Sequence, residues 1–175
     1  MSESSRPQLA RIAEKASRLV SRCQTRDPFR IAHLLGVYVL YPEGLVHLKG
    51  FYRVIEGRRF IFLNSANSEE TNRIVCAHEL GHDALHREYA EKQAFQDFEL
   101  FGHASRHEYE ANLFLAELLI GDEEMLSYIK EGKTNEEIAA LTSTHPSIAA
   151  LKCEILISRG HPLKSQGYDA SFLKN

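Results

Sequence analysis

The sequence contains no tryptophan, only two methionines and five prolines, and three cysteines that lie far apart. Each scarcity excludes something. Cys23, Cys76 and Cys153 are odd in number and form no CxxC pair, so neither a disulfide-held scaffold nor a zinc ribbon fits. The thiols are expected to be reduced and mostly buried. Positive charge is also short: 21 Lys and Arg against 24 Asp and Glu leave a net charge of −3 and a pI near 6.3. Such a chain has no general attraction for phosphate backbones or anionic lipid. No stretch approaches the roughly 18 apolar residues that a bilayer span needs, and MSESSRPQLARIAEK lacks the apolar core of a signal peptide. A cytoplasmic protein is expected, with no membrane partner and no direct nucleic-acid binding. Repeats and low-complexity tracts are missing too.

What is present suffices for one globular unit: 175 residues, 43% hydrophobic and 26% charged. Leu9, Ile12, Ala16, Leu19 and Val20 recur at helical spacing and predict a leading amphipathic helix. Asp27 followed by Pro28 starts a short helix that Gly36 closes. VYVLY reads as a strand, and Pro42, Glu43 and Gly44 as a turn. KGFYRVIEGRRFIFLN is a hairpin hinged at Glu56 and Gly57, giving about three strands. Asn67 and Glu70, spaced as a capping box, open a helix over residues 68–87 with Ile74, Ala77, Leu80, Ala84 and Leu85 on one stripe. Residues 88–105 are irregular and are expected to form a loop. HEYEANLFLAELLI, 107–120, is apolar on nearly every face, as suits a helix buried at the centre of a domain. Three short helices follow, the last with Pro146 in its first turn, and residues after Gly160 are expected to be loosely held.

The chemistry concentrates in IVCAHELGHDALH, residues 74–86. On a helix His78 and His82 share a face about 6 Å apart along the axis, so both imidazoles can address one ion. Glu79 flanks that face, near enough to take a proton from water without being a ligand. With 9 histidines present, shuffling would produce HExxH in roughly one chain in twenty, so context must decide. The histidines border the apolar stripe, where half-buried imidazoles need partners, and Gly81 leaves room for another element to approach. Glu108 at the start of the apolar helix can supply the missing carboxylate, with Asn112 one turn later to accept from an imidazole N–H. Glu110 competes, although it points about 160° away from both. His86 continues the series, but three histidines in a row rise about 12 Å and cannot all reach one tetrahedral ion. It is a supporting or packing residue.

HELGHDALH followed by EYEANLFLAELLI resembles the ImmA/IrrE family of zinc-dependent metallopeptidases, whose hallmark is HExxH followed by E-x-x-A-N/D-x-F-A. The resemblance spans residues 27–125. It departs at Phe114-Leu115, where the family has F-A, and at Gly121, where proline is usual. It implies zinc ligands at His78, His82 and Glu108 and a general base at Glu79. The fold class expected is α+β: a zincin-like core over 27–125 with a three-stranded sheet on the HExxH helix and a second buried helix. The leading helix, 1–26, precedes that core, and a helical extension that looks like a helix-turn-helix, 126–175, follows it.

The activity implied is gluzincin-type endopeptidase cleavage of a protein substrate, a helix-turn-helix repressor of a mobile element or stress regulon, with Zn²⁺ as cofactor. Tyr109, His103 and His107 are candidate oxyanion donors by proximity alone, and strand 51–55 or 60–63 could pair with an extended substrate. The alternative is a catalytically silent, metal-stabilised binding module or regulator. A DNA-reading tail is disfavoured, because its last helix offers only Lys152 before Arg159.

Overall fold

The computed structural model describes residues 5–46, 48–92 and 106–164. Helix α1 (Ser5–Cys23) buries Leu9, Ile12, Ala13 and Ala16 along its apolar stripe. Asp27 then caps α2 (Pro28–Leu35), accepting the Phe29 N–H at 3.0 Å, and Gly36 ends it in the left-handed conformation. Three strands form one small sheet: β1 (Val37–Leu40), β2 (Gly50–Ile55) and β3 (Arg58–Leu63), in the order β1-β3-β2. β3 runs parallel to β1 and antiparallel to β2, so the middle strand is paired on both sides. Glu56 and Gly57 both take positive φ, 50° and 73°, which is what a two-residue hairpin turn demands.

One sheet face buries Tyr52, Ile61 and Leu63 against α3 (Glu69–Leu85), while Val37 of β1 is buried on the side of α2. The approach is close: a Cβ on Gly50 would fall 2.6 Å from Val75. Ser68, not the expected Asn67, caps α3, with its hydroxyl accepting the Thr71 N–H at 3.1 Å. Asn67 instead donates to the Lys49 carbonyl at 2.8 Å and to Asn72, which ties the helix start to the strand before it. The helix also stops earlier than expected. His86 leaves helical geometry, and α4 (Arg87–Lys92) starts at the expected last residue of that helix and runs into the stretch read as loop. The rest of that stretch, 93–105, and the tail beyond 164 lie outside the described residues.

Helix α5 (Arg106–Leu119) is buried on all sides from Ala111 to Leu119. A helix apolar all round is stable only with partners all round, and α3, α1 and α8 (Pro146–Ser158) supply them. Between them lie α6 (Asp122–Lys130) and α7 (Asn135–Thr142), the latter opened by a Thr134–Glu137 capping box. Ser147 to Leu156 of α8 are all buried. Its Lys152 is fully enclosed and donates to Glu117 at 2.6 Å and Asp122 at 2.5 Å, while Arg159 holds the same two carboxylates. The architecture is the expected α+β arrangement, and among the described residues a core cluster runs from Leu9 to Leu156. Cys76 and Cys153 are buried thiols, Cys23 a partly buried one. Among the described residues no helix is long and apolar enough to cross a membrane.

Candidate metal centre

His78 and His82 sit one turn apart on α3, each 1% exposed, with their Nε2 atoms 3.1 Å from one another. Glu108 arrives from the first turn of α5 and spans both: Oε2 is 3.1 Å from His78 Nε2, and Oε1 is 3.3 Å from His82 Nε2. Gly81 makes this crossing possible, because a Cβ there would lie 3.1 Å from the Ala111 backbone. One donor atom from each of the three residues falls within 4.8 Å of the others, a group that could hold a metal ion. Glu110, the competing carboxylate, does not join it.

The chemistry of the donor set fits a cation. Asn112 Oδ1 can only accept, so His78 Nδ1, 2.9 Å away, carries the proton and its Nε2 bears a lone pair. That lone pair faces a carboxylate oxygen and a second imidazole nitrogen. A proton relieves such crowding in part, and a divalent ion relieves it fully. The titration behaviour reports the same conflict. Burial opposes charge on His78, yet the Glu108 hydrogen bond and charge outweigh it and raise its pKa. Burial, with His78 as a charged neighbour, drives His82 down to about 4. Glu108 is buried too, but its contacts with the two imidazoles, which donate to it when they are protonated, hold it well below the usual carboxylate range. Two imidazoles and a carboxylate suit zinc and other first-row divalent ions.

Glu79, 2% exposed, follows His78 and accepts the backbone N–H of Tyr52 on β2. Burial, reinforced by the charge of Glu108 and opposed by His78, pushes its pKa up to about 7. A carboxyl group that titrates near neutrality can both take and return a proton.

The model of the M78 peptidases, the IrrE N-terminal-like domain, matches residues 25–154. The chain belongs to this family. An "uncharacterized immunity region protein 2" of Bacillus phage phi105 is 31% identical over 142 residues, which is 81% of this chain and 88% of the phage protein. The M78 domain is thus a metallopeptidase-like domain with a His-His-Glu cluster.

Around the M78 cluster the structure reveals partners that sequence reasoning missed. Asp83, 2% exposed, accepts from the Tyr52 hydroxyl at 2.7 Å, Arg59 at 2.9 Å and Arg87 at 3.2 Å. It clamps β2 and β3 onto α3, and burial together with its hydrogen bond keeps the Tyr52 phenol protonated. An acid following the second histidine on a buried helix was the available signal. His86 bridges His82 and Glu110, and Glu110 also holds Arg106 at 2.8 Å and Gln8. Of the candidate oxyanion donors, His107 packs its ring on His86 and Tyr89, and Tyr109 lies half-buried beside Glu154 of α8. His103 lies outside the described residues. A cavity of about 920 Å³ lined by Lys15, Arg22, Arg59 and Arg87 opens beyond His86, but it does not border His78, Glu79 or Glu108.

Proposed function

We propose that this M78 domain is a zinc-dependent endopeptidase whose substrate is a helix-turn-helix repressor. One observation carries the reading: His78, His82 and Glu108 converge from two helices beside a buried carboxyl group, Glu79, whose burial raises its pKa. Zinc bound there supplies Lewis acidity. Glu79 takes the proton of the attacking water and returns it to the leaving amine. His78 and His82 present nitrogen, and Asn112 fixes the ring of His78 through its Nδ1–H.

The sheet supports a place for the substrate backbone. β3 is paired on both sides and can receive no further strand, so the reading in which residues 60–63 bind substrate is dropped. β2 is an edge strand of that sheet, and its Tyr52 N–H already reaches Glu79. An extended peptide laid along β2 would bring its scissile bond beside the cluster. The name of the phi105 relative, an immunity region protein, is in keeping with a repressor as the protein cut, and a DNA-bound repressor would be met in the cytoplasm. The burial of α8 and of Lys152 leaves no support for the tail as a DNA-reading helix.

The test is to incubate the zinc-loaded protein and its Glu79→Gln variant with the helix-turn-helix repressor encoded beside it. The parent should yield a discrete cut, and the variant should lose cleavage at least 100-fold with its zinc content intact. Equal cleavage by both would remove Glu79 from the mechanism. Zinc binding without cleavage by either would favour a silent binding module.

A further inference from the structure

Beyond the zinc cluster, the outer nitrogens of His82 lead away from the site along a line of hydrogen bonds. His82 Nδ1 is 3.1 Å from His86 Nδ1, and His86 Nε2 is 2.9 Å from Glu110 Oε2. His82 and His86 are both buried, and Glu110 is held from its other side by Arg106 and Gln8. The proton count along this line is fixed at its outer end. A carboxylate held by two donors accepts only, so His86 Nε2 carries a proton. A neutral imidazole has a single N–H, and with that proton spent on Glu110 the Nδ1 of His86 is a bare acceptor. The Nδ1 of His82 facing it must then be the N–H. That leaves His82 Nε2 bare, and it is this nitrogen that faces Glu108 and His78.

We infer that His86 and Glu110 are positioning residues that hold His82 in its metal-binding tautomer and fix the plane of its ring. The inference rests on the zinc reading above and adds two residues to it. It also explains why the third histidine of HELGHDALH follows at i+4: capping the end of α3, it sets its ring beside that of His82 and passes the constraint to α5. Asn112 serves His78 by one direct bond, whereas His82 is served through an intermediate ring.

The experiment measures zinc dissociation constants by competition with a chromogenic chelator for the parent, Glu110→Gln, His86→Phe and His86→Gln. Glutamine at 110 keeps the volume but can turn its NH₂ toward His86, which permits the wrong tautomer. Glu110→Gln and His86→Phe should weaken zinc 10- to 100-fold, the range typical for a lost outer partner of a metal-bound histidine. His86→Gln restores an acceptor for His82 and should recover part of the loss. Circular dichroism of the metal-free proteins checks the fold, and if the phenylalanine variant does not fold, Glu110→Gln decides. A parent that binds zinc with variants that bind it equally well would overturn the inference alone. His78→Ala serves as the separate control: retention of parental zinc affinity there would overturn the zinc reading itself.

Discussion

Glu79 occupies a position where a charged carboxylate is poorly solvated, and its stability cost follows from the direction of its pKa. In the unfolded chain it ionises near the ordinary value of about 4.3, whereas in the folded protein it does so only at about 7. A raised pKa means that the fold prefers the protonated form. Its contribution is fully present below the unfolded pKa and is lost as pH climbs from about 4.3 through 7. Metal-free Glu79→Gln should therefore be more stable than the parent at pH 8, by on the order of 3 kcal/mol, with the gap closing below about pH 4. Urea denaturation at the two pH values checks this; a gap of equal size at both would assign the effect to packing. At this scale the sequence revealed His78, Glu79, His82, Glu108 and Asn112 as candidates, because helical spacing alone brings them to shared faces. It did not reveal how His86, Glu110 and Asp83 are used. Their partners come from other elements, and no local spacing encodes where Arg59 or Tyr52 will meet α3.

Among the elements, the crossing of α3 and α5 is the contact on which the centre depends. Glycine costs α3 up to about 1 kcal/mol of helix propensity relative to alanine, and it is tolerated where it lets a neighbouring backbone in. Gly81→Ala returns that propensity but sets a methyl group 3.1 Å from the Ala111 backbone, which must yield by a few tenths of an ångström. The two effects oppose one another in stability, so the unfolding free energy should change by less than about 1 kcal/mol. Zinc affinity has no such compensation, since the donors sit on both sides of the crossing, and it should fall several-fold by the same chelator competition. Unchanged affinity would show that the helices can part without disturbing the cluster. The elements themselves were largely legible: the Asp27 cap, the Glu56-Gly57 turn and the two central helices follow local rules. The start of α3 was not, because Asn67 and Ser68 are both good caps, and Asn67 was diverted to the Lys49 carbonyl by the strand beside it.

The molecule as a whole is held by a buried ionic knot at the far end of α5. Lys152 has no exposure, and Glu117 answers both it and Arg159. Removing one member of such a group leaves charge behind in a dry place, so Lys152→Ala should cost about 3 kcal/mol, and Lys152→Met less because it fills the space. Equilibrium urea unfolding of both variants measures this, and a methionine variant as stable as the parent would show that the knot adds no net stability. The tail has the cadence of a helix-turn-helix, and its shortage of cations already spoke against DNA reading, but sequence shows apolar spacing without showing which side is covered. Glu117 and Asp122 claim Lys152 from across the fold. The positions of the three candidate ligands have one more consequence. An ion gripping residues 78, 82 and 108 would turn the intervening chain into a closed ring, stapled at both ends as a disulfide would staple it. Since the unfolded chain cannot offer that grip, every tenfold rise in free zinc above its dissociation constant adds about 1.4 kcal/mol of resistance to unfolding. Chelation would then shorten the molecule's lifetime against cellular proteases, so metal supply would govern its abundance as well as the proposed cleavage.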